Sequence, residues 1–92
     1  MKWVVYYIFS KTLNKYYIGK TDNIERKINE HNHGTEIYTK RGIPWILIGT
    51  IDCLDNQEAT KLEIKLKKAK NPKYVKWFIT EHGKIWTGSS TG

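Results

Sequence analysis

One cysteine, Cys53, in 92 residues leaves no internal disulfide to form, so the chain has to hold itself together by packing, which suits a reducing compartment. Long apolar runs are missing too: none comes near the ~20 residues needed to cross a bilayer. The opening residues do not read as a basic-then-apolar leader with a small-residue cleavage site. The expectation is a soluble, cytoplasmic monomer with no membrane partner. Internal repeats and low-complexity blocks are lacking, and 92 residues suffice for one modest core but not for two. Acidic residues are scarce, nine against sixteen Lys and Arg, for a formal charge of +7. So positive a balance on so small a domain points to a polyanion, above all a phosphate backbone, although net charge speaks to association and not to fold.

What is present is β-forming, aromatic sequence at the start. Trp3-Val4-Val5-Tyr6-Tyr7-Ile8-Phe9 and Lys15-Tyr16-Tyr17-Ile18-Gly19 flank a polar break, Ser10 to Asn14, and so read as an antiparallel hairpin. The first run is apolar almost without alternation, as in a central strand covered on both faces. With residues 11–14 as the loop, Tyr6 falls opposite Gly19 and diagonal to Tyr17, and two phenols share a face beside a glycine. On composition alone the four tyrosines are ordinary strand residues.

Farther on, Asp22 is placed to cap a helix, with Glu25 reaching back as in a capping box. That helix runs to Glu30 or His31. Its 100° steps put Ile24, Ile28 and His31 in one stripe with Lys27 at the edge, and Arg26 nearly opposite, toward water. Residues 35–43 lack a period and suggest a short helical turn plus loop. Pro44 resets the backbone ahead of a third strand, Trp45 to Ile51. Asp55 caps a helix from Asn56 to Ala69, in which Ala59, Leu62, Leu66 and Ala69 recur at helical spacing and Glu63 borders the stripe. Asn71-Pro72 ends it, and a last helix, Pro72 to Glu81, uses Val75, Phe78 and Ile79 to close the core. The expected fold is a small α/β sandwich with one three-stranded, largely antiparallel sheet flanked by helices, spanning residues 1–87. Gly88 to Gly92 has the composition of a flexible tail.

Several residues carry competing readings. Glu63 at the edge of a core stripe is either a ligand-type carboxylate or an ion-pair partner for Lys67 one turn on. The lysines from Lys61 to Lys76 form a solvated face, whereas Lys40 and Arg41, in the loop before the third strand, are better placed for a phosphate backbone, along with Lys20 and Arg26. His31-Asn32-His33 does not make a histidine metal nuclease, since neighbours two apart diverge by about 200° on a helix. His31, His33 and Cys53 lack the paired spacing of a zinc site, and Cys53 reads as a small core residue.

Val4-Val5-Tyr6 followed by Tyr17-Ile18-Gly19 resembles the paired signature of the GIY-YIG nuclease domain. Asp22 to Ile28 with Glu30-His31-Asn32, then Tyr38-Thr39-Lys40, Pro44-Trp45 and Glu58 to Glu63, extend the resemblance from Trp3 to about Lys70. They are similar to small stand-alone bacterial members of that family, themselves similar to the N-terminal nuclease domain of UvrC. The resemblance implies an endonuclease that hydrolyses phosphodiesters in DNA, in repair or recombination, with Mg²⁺ or Mn²⁺. It implies Tyr6 as general base, Tyr17 positioning phosphate or water, a cation at position 27 on the phosphate, His31 assisting, Glu63 binding the metal, and Gly19 as a structural residue of the site. Phosphodiester cleavage needs these parts: an activated water, a charge clamp and a metal. Two departures stand out. Val4 replaces a leading glycine, and Lys27 stands where the family has arginine, keeping the charge but not the planar fork that grips phosphate with two parallel bonds. The alternative is a nucleic-acid-binding module of the same fold with weakened or lost catalysis. A lone domain offers few base-reading elements, so specificity falls to a partner protein or an additional domain.

Overall fold

The computed structural model describes residues 2–34 and 39–85. Val5, Tyr6, Tyr7 and Ile8 are buried in succession, which only a strand covered on both faces allows. This strand, β1 (Trp3–Ser10), lies between β2 (Lys15–Thr21) and β3 (Trp45–Cys53), and β3 pairs on its far side with β4 (Lys84–Ile85), all antiparallel, in the order β2-β1-β3-β4. The β1–β2 register sets Tyr6 against Gly19 and Ile8 against Tyr17, as the loop length implied.

The sheet therefore has one strand more than the three expected. Gly83 permits it, because a side chain there would run into the Thr50 carbonyl as the chain passes over β3. A strand of two residues has no period to display in the sequence.

Alternate side chains of β1 go to opposite faces. Tyr6 and Ile8 meet Trp45, with Tyr17, Ile24, Ile28, Ile43 and Leu47 packed around them beneath α1 (Ile24–Asn32). Val5 and Tyr7 meet Ile18, Ile51 and Cys53 beneath α2 (Asn56–Ala69) and α3 (Pro72–His82). Leu66 and Ile79, both wholly buried, anchor these two helices, each contributing about 1.5–3 kcal/mol. A register shift beyond Tyr7 skips a residue of β3 and leaves Trp45 opposite Ser10, its ring in the Tyr6 face.

The caps explain where the helices begin. Asn23, not Asp22, caps α1, accepting the Arg26 N–H at 3.0 Å. Thr21 decides this: its hydroxyl accepts the Asn23 N–H at 3.0 Å and donates to the Asn23 carbonyl at 3.2 Å. Glu25 becomes the second helical residue and is not placed for the reciprocal box, while Asp22 takes the Arg26 guanidinium at 3.0 Å. For α2, Asp55 accepts the Glu58 N–H at 2.8 Å and Glu58 takes the Leu54 N–H at 3.1 Å, as its position implied. Asn71 caps α3, which opens on Pro72 and runs one residue past Glu81. Within 35–43, Lys40–Gly42 forms a 3₁₀ turn. Tyr38 and the tail from Gly88 lie outside the described residues.

Candidate active site

The centre of β1 delivers Tyr6 to the α1 side of the sheet, where its hydroxyl lies 2.9 Å from His31 Nε2. Gly19, across the ladder, makes room: a Cβ there would collide with the Tyr6 hydroxyl. His31 comes from the last turn of α1 and is wholly buried. Its Nδ1 is 2.7 Å from Thr39 Oγ1. Thr39 is held in turn by the Trp45 indole N–H, which donates to its carbonyl at 2.7 Å. Asn32 ties the end of α1 to β3 by accepting the Trp45 N–H at 2.6 Å and donating to the Trp45 carbonyl at 3.2 Å. The histidine therefore has both nitrogens engaged and a fixed ring.

Tyr17 closes the group. Its ring centroid is 6.4 Å from that of Tyr6, 5.5 Å from His31 and 6.2 Å from Trp45, edge-on to the last two. Tyr6, His31 and Trp45 are buried, while Tyr17 is half-buried and meets solvent. Of the four rings, Tyr17 is the most exposed.

The charged candidates surround it unequally. Lys27, one turn before His31, has a side chain 24% exposed and pairs with Glu30 at 3.2 Å; Arg26 is 57% exposed and pairs with Asp22 at 3.0 Å and Glu30 at 3.6 Å. Lys27 thus faces inward relative to Arg26, as the helical stripe implied. Glu63 is 16% exposed and pairs with Lys67 at 2.9 Å. Lys67 Nζ also sits 5.6 Å from the Tyr17 ring centroid, so this lysine links the Glu63 carboxylate to the tyrosine group. The ion-pair reading of Glu63 is thus what the structure displays, and the same lysine stands over the Tyr17 ring. A partly exposed pair of this kind is worth no more than about 1 kcal/mol, so an incoming cation or phosphate can replace it.

The structure thus brings together Tyr6, Tyr17, His31 and Gly19, with Glu63 reaching them through Lys67. Lys20 is engaged elsewhere, donating to Asn56 Oδ1 and lying 5.1 Å from the Trp3 ring centroid. Lys40 and Arg41 are exposed on the 3₁₀ turn that follows Thr39. His33 is exposed and donates to the Asn29 carbonyl at 2.7 Å, so it diverges from buried His31. Cys53 is a core residue, its thiol pushed up by burial and by the acidic neighbours led by Glu58. Thr39, Asn32 and Trp45 do positioning work that their sequence context did not reveal, although each lies within a stretch that carries the family resemblance.

Among the described residues no three His, Cys, Asp or Glu side chains gather as a metal cage. One carboxylate is nevertheless a fitting donor set for a hard cation such as Mg²⁺, which keeps several waters and takes the rest of its oxygens from substrate phosphate. Glu63, 16% exposed and one ion pair away from the lysine beside Tyr17, is the candidate for such a donor.

The family model of the GIY-YIG catalytic domain matches residues 2–75. No curated protein and no solved structure matches the chain.

Proposed function

The chain belongs to the GIY-YIG catalytic domain family, a family of nucleases, and on that premise we propose that it is a metal-dependent DNA endonuclease that hydrolyses phosphodiester bonds, in DNA repair or recombination. The observation that carries the reading is the buried 2.9 Å contact between the Tyr6 hydroxyl and His31 Nε2, with Tyr17 alongside.

A phenol of ordinary pKa near ~10 is a poor base, and a histidine beside it supplies what it lacks. A neutral imidazole has one N–H. With that proton on Nδ1 and donated to Thr39, Nε2 accepts the Tyr6 O–H. Tyr6 then takes a proton from the attacking water while its own passes to His31. The water oxygen bonds to phosphorus as the bond from phosphorus to the leaving oxygen breaks, and solvent protonates that oxygen. Tyr17, the exposed member, positions the phosphate, and Lys27 offsets charge on the non-bridging oxygens, a role of the kind that commonly dominates such catalysis. Glu63 would hold the divalent cation, Mg²⁺ or Mn²⁺, which when bound would supply Lewis acidity to the leaving group. Lys20, Arg26, Lys40 and Arg41 follow the backbone away from the site, and specificity comes from a partner protein or additional domain.

Single-turnover nicking of supercoiled plasmid and of branched and flapped DNA, with Mg²⁺ or Mn²⁺, tests this. Metal-dependent cleavage that Tyr6→Phe removes is the expected result. A specific observation favours the second reading, a binding module without catalysis: the inward cation of α1 is Lys27, which has the charge but not the planar fork of an arginine. Salt-sensitive DNA binding with no cleavage of any substrate would select it.

A further inference from the structure

The tyrosine and histidine group occupies one face of the sheet. At the β2 edge toward the other face, a cavity of about 620 Å³ opens between the end of the hairpin loop, the last turn of α2 and the start of α3, within the range of ~300–1,000 Å³ usual for small-ligand sites. Ile18, Leu66 and Val75 make an apolar wall, and Lys15, Lys67 and Lys70 stand around it, with no carboxylate among the described lining residues and Glu63 reaching Lys67 from outside them. Tyr7 lines it as well. Tyr7 is 2% exposed, and its ring stacks on Tyr16 with centroids 4.8 Å apart and planes 4° from parallel. Its buried hydroxyl finds no hydrogen-bond partner among the described residues. Such orphaned groups are rare and costly, and they ask for an explanation. Burial and the neighbouring Tyr16 hold this phenol well above its ordinary pKa, so it stays an O–H donor.

We propose that this cavity receives an unpaired nucleotide of the DNA strand being cut, its base against Tyr16 and the apolar wall, its polar edge on the Tyr7 hydroxyl, and its phosphates on Lys15, Lys67 and Lys70. A flat aromatic base with a polar edge, carried on an anionic backbone, matches an aromatic platform flanked by cations, the arrangement that binds single strands without regard to sequence. The base must be unpaired, because a base inside a duplex is stacked and its edge occupied until it is extruded. Tyr17 and Lys67 belong to the cavity and also to the surroundings of the nuclease site, so the bound nucleotide neighbours the scissile phosphate. The inference rests on the nuclease reading for its strand, and it names the substrate class: DNA with a single-stranded segment at the point of cleavage, such as a flap or splayed arm.

Fluorescence anisotropy without metal tests the cavity apart from catalysis. The probes are a labelled strand of ten thymidines, the same strand with abasic sugars, and a blunt duplex. The thymidine strand should bind about tenfold tighter than the abasic strand, as loss of stacking implies. Tyr16→Ala should erase that preference, Tyr7→Phe should cut thymidine-strand binding by about threefold, and Lys70→Glu should weaken both strands. Duplex affinity should stay within about twofold in Tyr7→Phe, which removes one hydroxyl without changing shape. Equal binding of the two strands by wild type, or a base preference that survives Tyr16→Ala, overturns the proposal. So does displacement of the strand by an acidic, tyrosine-rich peptide at lower concentration than by unlabelled thymidine strand. Base preference without cleavage would sink the nuclease reading alone, and cleavage without base preference would sink the cavity alone.

Discussion

Tyr6 and Gly19 face each other across the β1–β2 ladder, with the phenol lying where a side chain at position 19 would begin. The glycine is there for space and not for backbone freedom. Gly19→Ala should push the ring aside and break its 2.9 Å contact with His31, costing about 1–3 kcal/mol of stability as overpacking does. Urea unfolding together with nicking rates would read this. A variant as stable and as active as wild type would show that Tyr6 does not work from its buried position.

Thr39→Val should leave His31 Nδ1 without its 2.7 Å partner at a cost of about 1–3 kcal/mol, and should move the pH profile of cleavage because the tautomer is no longer held. Thr39→Ser should restore the profile. Loss of stability with an unchanged profile would reduce Thr39 to a packing residue.

Lys27→Ala should lower single-turnover cleavage by about 10²-fold or more, while Lys27→Arg retains or raises it through the second parallel bond. Arg26→Ala should matter little, since its side chain is 57% exposed and tied to Asp22 and Glu30. The opposite pattern, with Arg26→Ala inactive and Lys27→Ala unaffected, would assign the clamp to Arg26.

For Glu63→Gln the expected outcome is loss of activity, with no metal concentration restoring it, because a neutral amide is a poor ligand for a hard cation. Lys67→Ala, by releasing the carboxylate from its 2.9 Å ion pair, should lower the metal concentration for half-maximal cleavage by up to about fivefold, the equivalent of the ~1 kcal/mol such a pair holds. A requirement that is unchanged or higher in Lys67→Ala would mean that the ion pair does not hold the Glu63 carboxylate back from the metal.

With a formal charge of +7, binding to unrelated duplexes should fall steeply and similarly with salt, since phosphate contacts release counterions whatever the bases are. Titrations at several salt concentrations give the slope. A slope near zero would remove the phosphate backbone as the main contact.

How far the chain could be read in advance differs from element to element. The unbroken apolar run at Val4 to Phe9 announced a central strand, because only a strand covered on both faces can bury every residue in turn. The four-residue loop fixed by parity that Tyr6 meets Gly19, and Asp55 announced the start of α2 because capping is a local interaction. At α1 the local pattern points to Asp22, one residue before the cap the structure has, since Thr21 holds Asn23 through its side chain and nothing in the local pattern ranks Asn23 above Asp22. The strand Lys84–Ile85 could not be anticipated, because its partner Gly49-Thr50 lies more than thirty residues away and supplies the reason for it to exist.

The amino-acid sequence by itself determined the family, the hairpin, the inward Lys27 and the positive surface, all of which follow from spacing along the chain and from residue chemistry. Only tertiary structure decided that His31 sits between Tyr6 and Thr39, that Asn32 locks Trp45, that Lys67 joins Glu63 to Tyr17, and that Tyr7, at a lysine-rimmed cavity, has a hydroxyl unmet among the described residues. The physical reason is range. Periodicity and capping act within a turn or two, whereas each of these four arrangements draws its geometry from elements packed across the sheet, whose closeness no local pattern encodes.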